Sequence, residues 1–428
     1  MRAGWWRPWA MWGLGALCYL TALFHRMSLS VGGLTAQERF GIDATGLAAF
    51  VVVQLALYAL LQVPVGVGAD RFGPRRLLLA GMTFMAAGTL VFALVTGYPA
   101  AMAGRALIGV GDACIFVSVL RIAHNWFPGP RYALIAALTA MIGGLGQLVA
   151  TAPLAALLGA RGWTGAFLIA GGITVVLLIV TAVALRDGHP RNLPQDTRPE
   201  PLRESLRQVW RTPAIRHAMW THFTLLGTFV SFTAVLGQPY LVGAYGLARS
   251  TASGLLGLAV IGYVLTSTAA GQFASRQPAA RGRLALGAAF AMTAFVALLV
   301  VLPGSAPVGL LTPVVFAVGA AGGVNVLAFD LARSANHGHR TGIATGVANM
   351  GGFTFAVMAQ LGVGVVLDAL IGAGMQPANA HRLAFGVPLA LAVLGAVQVM
   401  CLHRHGGVVP AVGSAGEARG APRTLAGA

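Results

Sequence analysis

The sequence predicts an all-α membrane protein with twelve transmembrane helices. Of its 428 residues, 57% are hydrophobic and only 9% are charged, and the mean hydropathy is +0.78. Soluble domains contain about 45–50% apolar residues. Apolar runs of about 20 residues, which are long enough to cross a hydrocarbon core of about 30 Å, recur from end to end. Each run must be helical, because backbone groups in lipid need hydrogen-bond partners within their own segment, and the alternating pattern of a spanning β-barrel is absent.

The predicted spans follow one another along the chain and split six and six. The first run, 8–30, exceeds a signal-peptide core and lacks a small-x-small cleavage site, so it is predicted to remain as the first helix. The other predicted spans are 45–67, 77–97, 99–126, 132–158, 163–185, 214–240, 251–272, 284–302, 308–331, 341–368 and 382–402.

The longest polar interruption, which is rich in proline and charge, defines the predicted domains. They are an N-terminal six-helix bundle (1–185), a cytoplasmic central loop (186–213), a C-terminal six-helix bundle (214–402) and a cytoplasmic tail (403–428). The Gly, Ala and Pro content of the tail predicts disorder. A duplicated transporter is the interpretation that fits this division.

The composition excludes several classes of function. All 28 basic residues are arginine, and without lysine the chain can form neither a P-loop nor a Schiff base. The cysteines lie at positions 18, 114 and 401 inside apolar runs, where neither disulfides nor a zinc site are expected. Neither an HExxH nor a GxSxG motif is present. We therefore expect no enzymatic activity and no cofactor.

The arginines predict the orientation of the chain. Arg39, Arg161, Arg249 and Arg382 lie on one side of the predicted membrane, whereas most others lie on the side that holds both termini. By the positive-inside rule, that side is cytoplasmic. The net charge of +17 then reflects topology and attraction to anionic lipid rather than binding of nucleic acid. We expect a multi-pass monomer in the inner (plasma) membrane of a bacterium, whose partners are the lipid bilayer, a small-molecule substrate and protons.

One charged stretch, GVGADRFGPRR at residues 66–76, joins the second and third predicted spans. The positive-inside rule explains its three arginines, but neither its acid, Asp70, nor the glycines at fixed offsets. This arrangement closely resembles the signature loop of the major facilitator superfamily. The resemblance implies two six-helix bundles related by pseudo-two-fold symmetry, with the loop acting as a cytoplasmic gate.

In that family the acid of the loop contacts the neighbouring half and arginines of its own half. A carboxylate that faces a helix N-terminus gains from the dipole as well as from arginine pairing. The predicted gating residues are Asp70, Arg71, Arg75, Arg76, Arg105, Arg121, Arg131, Asp330 and Arg333. In the equivalent loop GQFASRQPAAR, Ser275 replaces the acid, so the gate is predicted to be one-sided.

Further motifs resemble one branch of the superfamily, the symporters of organic anions and sugar acids with protons. They are CYLTALFHRMSLSV, GRALIGVGDACIF, NWFPGPR and GWTGAFLIAGG, all in the first half of the chain. In the second half, GQPYL and RTGIATGVANMGG fit the superfamily more loosely.

Arg26 and Asp112 stand out because an ionisable side chain at the bilayer centre costs about 2.5–3.5 kcal/mol on insertion scales. Arg26 matches the arginine that binds anionic substrate in the resembled symporters; alternatively it extends to the external interface. Asp112 occupies the place where those symporters usually carry a proton-accepting glutamate. The alternative is a permanent ion pair of Asp112 with Arg26 or Arg105, since Arg105 lies seven residues earlier on the same helix face.

Polar side chains at helical spacing extend the predicted binding site. The predicted substrate-binding residues are Arg26, Tyr19, Gln54, Tyr58, Gln147, Thr228, Asn325 and Asn349, with Asp112 as the proton-coupling residue. Packing between helices is the alternative explanation for the uncharged members of this set.

These observations predict proton-coupled uptake of a small organic anion, a carboxylate or sugar acid, by alternating access. An anion that moves inward against the membrane potential opposes about 2.3 kcal/mol per charge per 100 mV, so at least one proton must accompany it. The alternatives are a proton-driven exporter of amphiphilic compounds and a non-transporting sensor built on the same scaffold. The exporter predicts an aromatic and aliphatic cavity.

Overall fold

A computed structural model describes residues 6–127, 131–187, 201–335 and 340–405. Within these ranges every regular element is a helix, and ten helices are long and apolar enough to cross a membrane. The first helix qualifies as an eleventh, as two segments that meet at a bend of 45°. A shorter apolar helix, Leu134–Val149, completes the twelve predicted spans. The tail from residue 406 and residues 188–200 of the predicted central loop lie outside the described residues.

The N-terminal helices are α1 (Trp6–Phe40), α2 (Ala44–Phe72), α3 (Pro74–Leu94), α4 (Tyr98–Trp126), α5 (Arg131–Val149) and α6 (Ala152–Ala184). A short helix, α7 (Leu202–Arg211), precedes α8 (Pro213–Tyr245), which contains two π-helical stretches. The remaining helices are α9 (Arg249–Arg276), α10 (Arg281–Val301), α11 (Val308–Gly323), α12 (Val326–Ser334), α13 (Thr341–Gly372), α14 (Pro377–Ala384) and α15 (Gly386–His405).

The predicted boundary between the fifth and sixth spans is correct only in part. The predicted fifth span runs to residue 158, but α5 ends at Val149 and a second helical segment begins at Ala152, with Pro153 in its first turn. Gly162, with φ 63° and ψ −176°, interrupts α6 at a kink, so its later part begins where the sixth span was predicted to begin, at residue 163. The connection between the two bundles contains the short helix α7, with one apolar and one charged face.

The helices pack in two groups that meet along two main contacts. Within the first group, α3 packs on α4 and α6, and α1 packs on α4 and α5; within the second, α9 packs on α11, and α10 on α15. Between the groups, α2 packs on α13 and α5 packs on α9. Most arginines lie at the end of the bundle where α2 passes into α3, and this is called the arginine-rich end below.

Glycines set the separation of several helix pairs, and one of them provides a stability test. A Cβ atom on Gly319 of α11 would overlap the carbonyl oxygen of Ala259 on α9. We expect Gly319→Ala to destabilise the protein by about 1–3 kcal/mol through overpacking and to lower the melting temperature measured by thermal unfolding in detergent. The control is Gly287→Ala, at an exposed position with no atom within 4 Å of the added Cβ. It should leave the melting temperature unchanged or raise it; an equal fall in both variants would contradict the packing argument.

Candidate functional site

A buried ion pair between Arg26 of α1 and Asp112 of α4 lies at the centre of the N-terminal helices. The Arg26 Nε and Nη2 atoms donate to Oδ2 and Oδ1 of Asp112, both at 2.8 Å. Arg26 is 9% exposed and Asp112 is 1% exposed. The sequence left open an ion pair of Asp112 with Arg26 or with Arg105, and the structure forms it with Arg26. The bidentate geometry is the one in which a guanidinium binds any carboxylate most strongly.

Arg105 belongs to the same cluster, whereas the sequence predicts a place for it in the gate. Its Nη2 atom donates to Oε1 of Gln54, while Nη1 donates to the carbonyl oxygen of His25 at 3.2 Å. The Nε2 atom of Gln54 donates in turn to Oδ2 of Asp112 at 3.3 Å. Arg105 lies in the third turn of α4, and this turn is remote from the arginine-rich end at which α4 finishes. We therefore correct the sequence-based assignment of Arg105 to the gate.

The charges of this cluster do not balance. Two fully or nearly buried guanidinium groups, those of Arg26 and Arg105, share one carboxylate. Among the described residues, Asp112 is the only acid in hydrogen-bond contact with the cluster, and Nε of Arg105 has no hydrogen-bond partner. Buried charges are normally paired, so a second anion would be stabilised here.

Side chains from the second group of helices close over the ion pair. The Arg26 guanidinium carbon lies 4.4 Å from the ring centre of Tyr58 on α2 and 5.0 Å from that of Phe353 on α13. Asn349, also on α13, donates to the Tyr58 hydroxyl at 2.9 Å and to Oε1 of Gln62 at 2.7 Å. The site therefore lies at the contact between the two groups of helices, where a movement of one group against the other changes it.

Other residues predicted to bind substrate lie at varying distance from this cluster. Tyr19 of α1 packs its ring on Phe116 of α4, with ring centres 4.9 Å apart. Thr228 is buried in α8, and Asn325 donates to the Tyr263 hydroxyl at 3.2 Å within the second group of helices. In the described part of the chain neither residue contacts Arg26 or Asp112. Both are better explained as polar groups buried inside the C-terminal bundle.

Gln147 lines a separate cavity of about 690 Å³ between α5 and α9. Most of its wall is aliphatic, and Leu148, Ile261 and Leu265 are at least half exposed on the surface that would face lipid. Met27, which follows Arg26, also lines this cavity, so its inner wall is adjacent to the ion pair. Its wall has the aliphatic part of the composition that the exporter alternative predicts, but no aromatic side chain is among the lining residues that the structure describes.

Asp70 of the signature loop caps a helix of the other group. Its Oδ1 and Oδ2 atoms accept the backbone N–H groups of Gly342 and Ile343, both at 2.8 Å, in the first turn of α13. Arg121 of α4 lies 3.5 Å from Oδ1. One carboxylate thus combines a helix dipole, two charge-assisted hydrogen bonds and an arginine. These contacts join α2 and α4 of the first group to α13 of the second at the arginine-rich end.

Glycines bring the backbones of α2 and α13 together beside this cap. A Cβ atom on Gly66 would lie 2.5 Å from the carbonyl oxygen of Gly342, and one on Gly342 would meet Gly66 in the same way. A Cβ atom on Gly346 would overlap the carbonyl oxygen of Gln62. No side chain separates the two helices at these positions, and this close approach lets Asp70 reach the end of α13.

The remaining predicted gating residues do not join the Asp70 cap. Arg75 stays within its own half, since its N–H donates to Oδ1 of Asp187 at 2.7 Å and its Nη2 to the carbonyl oxygen of Ala182 at 2.5 Å. Arg71, Arg76 and Arg131 are exposed. The equivalent of Asp70 in the second half, Ser275, donates to Gly271 of its own helix at 2.9 Å.

Asp330 and Arg333 form a second cluster at the arginine-rich end. Asp330 accepts hydrogen bonds from Arg281 and, at 3.3 Å, from Arg333, so this acid pairs within the second group of helices. The guanidinium carbon of Arg333 lies 4.7 Å from the ring centre of Tyr132 on α5. This cation–π contact links the two groups of helices. The sequence predicts a gating role for Asp330 and Arg333 from their charges alone and does not reveal the contact with Tyr132.

Sequence reasoning missed Gln62, Phe353 and Arg281. Gln62 continues the four-residue spacing of Gln54 and Tyr58 on α2, so extending that polar stripe by one step finds it. Phe353 follows Asn349 by four residues, but a phenylalanine in an apolar helix carries no functional signal. Within the described ranges, no group of three or more His, Cys, Asp or Glu side chains is arranged to hold a metal ion.

Comparison with known proteins identifies the family of this architecture. The model of the Major Facilitator Superfamily matches residues 15–360. A probable L-galactonate transporter of Escherichia coli K12 is 29% identical over 154 residues, which are 36% of this chain and 34% of that protein. An oxalate:formate antiporter of Oxalobacter formigenes is 26% identical over 170 residues, 40% of each chain. A putative tartrate transporter of Agrobacterium vitis is 27% identical over 177 residues, 40% of this chain and 41% of that one. The matches thus span well under half the length of these relatives.

Solved structures share the fold over more of the chain. The fucose:proton symporter FucP of E. coli superposes with a TM-score of 0.68 at 15% identity, covering 91% of this chain and 98% of that one. A bacterial homologue of the lysosomal transporter Spinster, in an inward-facing conformation, gives a TM-score of 0.62 at 15% identity over 94% and 98% of the two chains.

Proposed function

The chain belongs to the major facilitator superfamily and is therefore a transporter rather than an enzyme, and from that premise we propose that it takes up a small organic anion together with protons. The observation that carries the proposal is the charge imbalance at the centre, where Arg26 and Arg105 share the single carboxylate of Asp112. This excess of positive charge would attract a transported anion into the site. The relatives named for galactonate, tartrate, oxalate and formate support a carboxylate or a sugar acid.

The coupling follows from competition for Arg26. Asp112 occupies the Nε and Nη2 atoms of Arg26, and a substrate carboxylate that binds this same edge of the guanidinium displaces it. A buried carboxylate that loses its cation is stabilised by taking up a proton, because the neutral acid tolerates burial better than the charged form. Gln54, which contacts Asp112 and Arg105, connects the two steps. Substrate and proton therefore enter the site together.

Alternating access supplies the movement. We propose that the arginine-rich end faces the cytoplasm of a bacterium, as the positive-inside rule predicts, and that residues 1–185 rock as one unit against 214–402. Release of Asp70 from the first turn of α13 opens that end, and the same movement separates Tyr58 from Asn349. The released anion and proton then leave on the inner side.

Uptake by purified protein in liposomes tests this function. With the outside at pH 6 and the inside at pH 7.5, radiolabelled galactonate or tartrate should accumulate, and a pyranine signal should report acidification of the lumen. Neutral galactose is the matched control and should not accumulate. Exchange of internal for external anion without any effect of the pH gradient would contradict proton coupling and indicate antiport.

The aliphatic cavity between α5 and α9 favours a second candidate, export of amphiphilic compounds. The same liposomes decide between the two functions. Proton-driven movement of an amphiphilic dye, with no uptake of either anion, would replace the uptake proposal with the exporter.

A further inference from the structure

A small pocket lies at the arginine-rich end of the second group of helices, away from the central ion pair. Its volume is about 70 Å³. It is enclosed by α8, the turn before α10, the first residues of α10, the end of α12 and the end of α15. The lining residues used below are His217, Arg281, Gly282 and His403.

His217 of α8 is the least satisfied group in this pocket. It is 5% exposed, and its Nε2 atom has no hydrogen-bond partner among the described residues. Buried side-chain nitrogen atoms are nearly always paired, so an unpaired one points to a ligand or water at this place. The ring of His403 lies 5.8 Å from that of His217, centre to centre, and both rings line the pocket.

The first turn of α10 forms another wall. A single 3₁₀ turn, Pro278–Ala280, leads directly into this helix, and Arg281 and Gly282 of the first turn line the pocket. Gly282 lets the His403 ring approach this turn, because a Cβ atom there would lie 3.2 Å from Cε1 of His403. The first turn of α10 and two imidazole rings therefore line one volume.

The surrounding charge is positive. The only acid with a contact in this region of the described chain, Asp330, is shared by Arg281 and Arg333, so one carboxylate faces two guanidinium groups. Arg283 and Arg404, which lie next to pocket residues in the sequence, are exposed at the same end. A negatively charged group is therefore favoured over a neutral one.

We propose that this pocket binds a phosphate group. Its small volume, about 70 Å³, suits one tetrahedral oxyanion. Imidazole nitrogens and a guanidinium are donors that phosphate oxygens accept from, and both kinds of group line this pocket. The phosphate comes either from free inorganic phosphate or from the headgroup of an anionic lipid, whose leaflet this end of the bundle adjoins.

Thermal unfolding of the full chain tests the site with two probes. In detergent, inorganic phosphate is titrated at constant ionic strength by exchange against chloride; in nanodiscs, phosphatidylglycerol is exchanged against phosphatidylcholine. We expect one probe to raise the melting temperature of the unchanged protein by about 2–4 °C, since binding to the folded state alone stabilises it. Stabilisation by phosphate in detergent indicates the free ion, and stabilisation by phosphatidylglycerol alone indicates the lipid.

Variants distinguish binding in the pocket from a general effect of surface charge. His217→Phe and His403→Leu should each raise about tenfold the concentration of the effective probe that gives half of the stabilisation. Arg276→Gln, at an exposed position outside the pocket, should leave that concentration unchanged. If His217→Phe fails to fold, His403→Leu decides, because His403 is only half-buried. An equal response in all variants, or no response to either probe, overturns the proposal.

Discussion

Arg26→Gln is expected to abolish anion uptake and to lower the melting temperature, whereas adding Asp112→Asn is expected to restore the melting temperature alone. Removing one member of a buried ion pair leaves the other charge unpaired, at a cost of about 3–5 kcal/mol. The double variant removes one charge of each sign and leaves the net charge of the cluster unchanged, so the penalty for the unpaired Asp112 carboxylate disappears, while Arg105 keeps Gln54 and the His25 carbonyl oxygen as its partners. Two charge-assisted hydrogen bonds to the substrate are lost in both variants, which predicts at least about a hundredfold fall in uptake.

Initial rates of uptake in liposomes and melting curves in detergent measure the two effects separately. The matched control is Arg249→Gln, an exposed arginine at the opposite end of the bundle, which should change neither quantity. Anion uptake that survives in the double variant would show that Arg26 does not bind substrate. A melting temperature that stays low in the double variant would contradict the account of the ion pair, whatever the transport result.

Asp70→Asn is expected to open the arginine-rich end in most molecules and to slow transport. The amide keeps the size of the side chain, but it loses the negative charge that accepts from Gly342 and Ile343 and pairs with Arg121. Loss of about 1.5–3 kcal/mol of charge-assisted hydrogen bonding shifts a two-state equilibrium roughly 10–150-fold. The cap forms only when the arginine-rich end is closed, so the substitution destabilises the closed state alone. The equilibrium then shifts toward the open state by the full free energy that is lost.

Distances between spin labels measure this opening. Labels at Arg186 and Arg283, both exposed at the arginine-rich end of different groups of helices, should move apart in Asp70→Asn when the native cysteines are replaced. Ser275→Ala is the matched control, because the Ser275 hydroxyl bonds within its own helix and should not affect the distance. Unchanged distances in Asp70→Asn would remove the cap from the gating mechanism.

The number and order of the membrane helices could be predicted because hydrophobic length determines them directly. Helix ends could not, since α1 continues to Phe40 and α2 to Phe72 beyond the apolar core, held by contacts with neighbouring helices. A window of hydropathy detects the part of a helix inside lipid and not its extension into the headgroup region.

The centre of the site was predicted in part, and the failures share one cause. Gln54, Tyr58 and Asn349 do surround Arg26, but Arg105 was assigned to the gate, and Asn325 was assigned to the site. Helical spacing shows which residues share a face, whereas the neighbouring helix decides what that face meets. Asp112 pairs with Arg26 rather than with Arg105 because α1 packs against α4 beside Asp112. The sequence of α4 alone does not show which helix lies beside it.

The glycines where α2 crosses α13 give this contact between the two groups of helices a smooth surface. Backbone meets backbone at Gly66, Gly342 and Gly346, so no knob of one helix has to leave a hole in the other when the halves separate. No rotamer has to change where these glycines meet, so the contacts that oppose separation lie beside them: the Asp70 cap and the hydrogen bonds of Asn349 to Tyr58 and Gln62. We therefore expect a few polar contacts, rather than interlocked side chains, to set the energy needed to part the two helices.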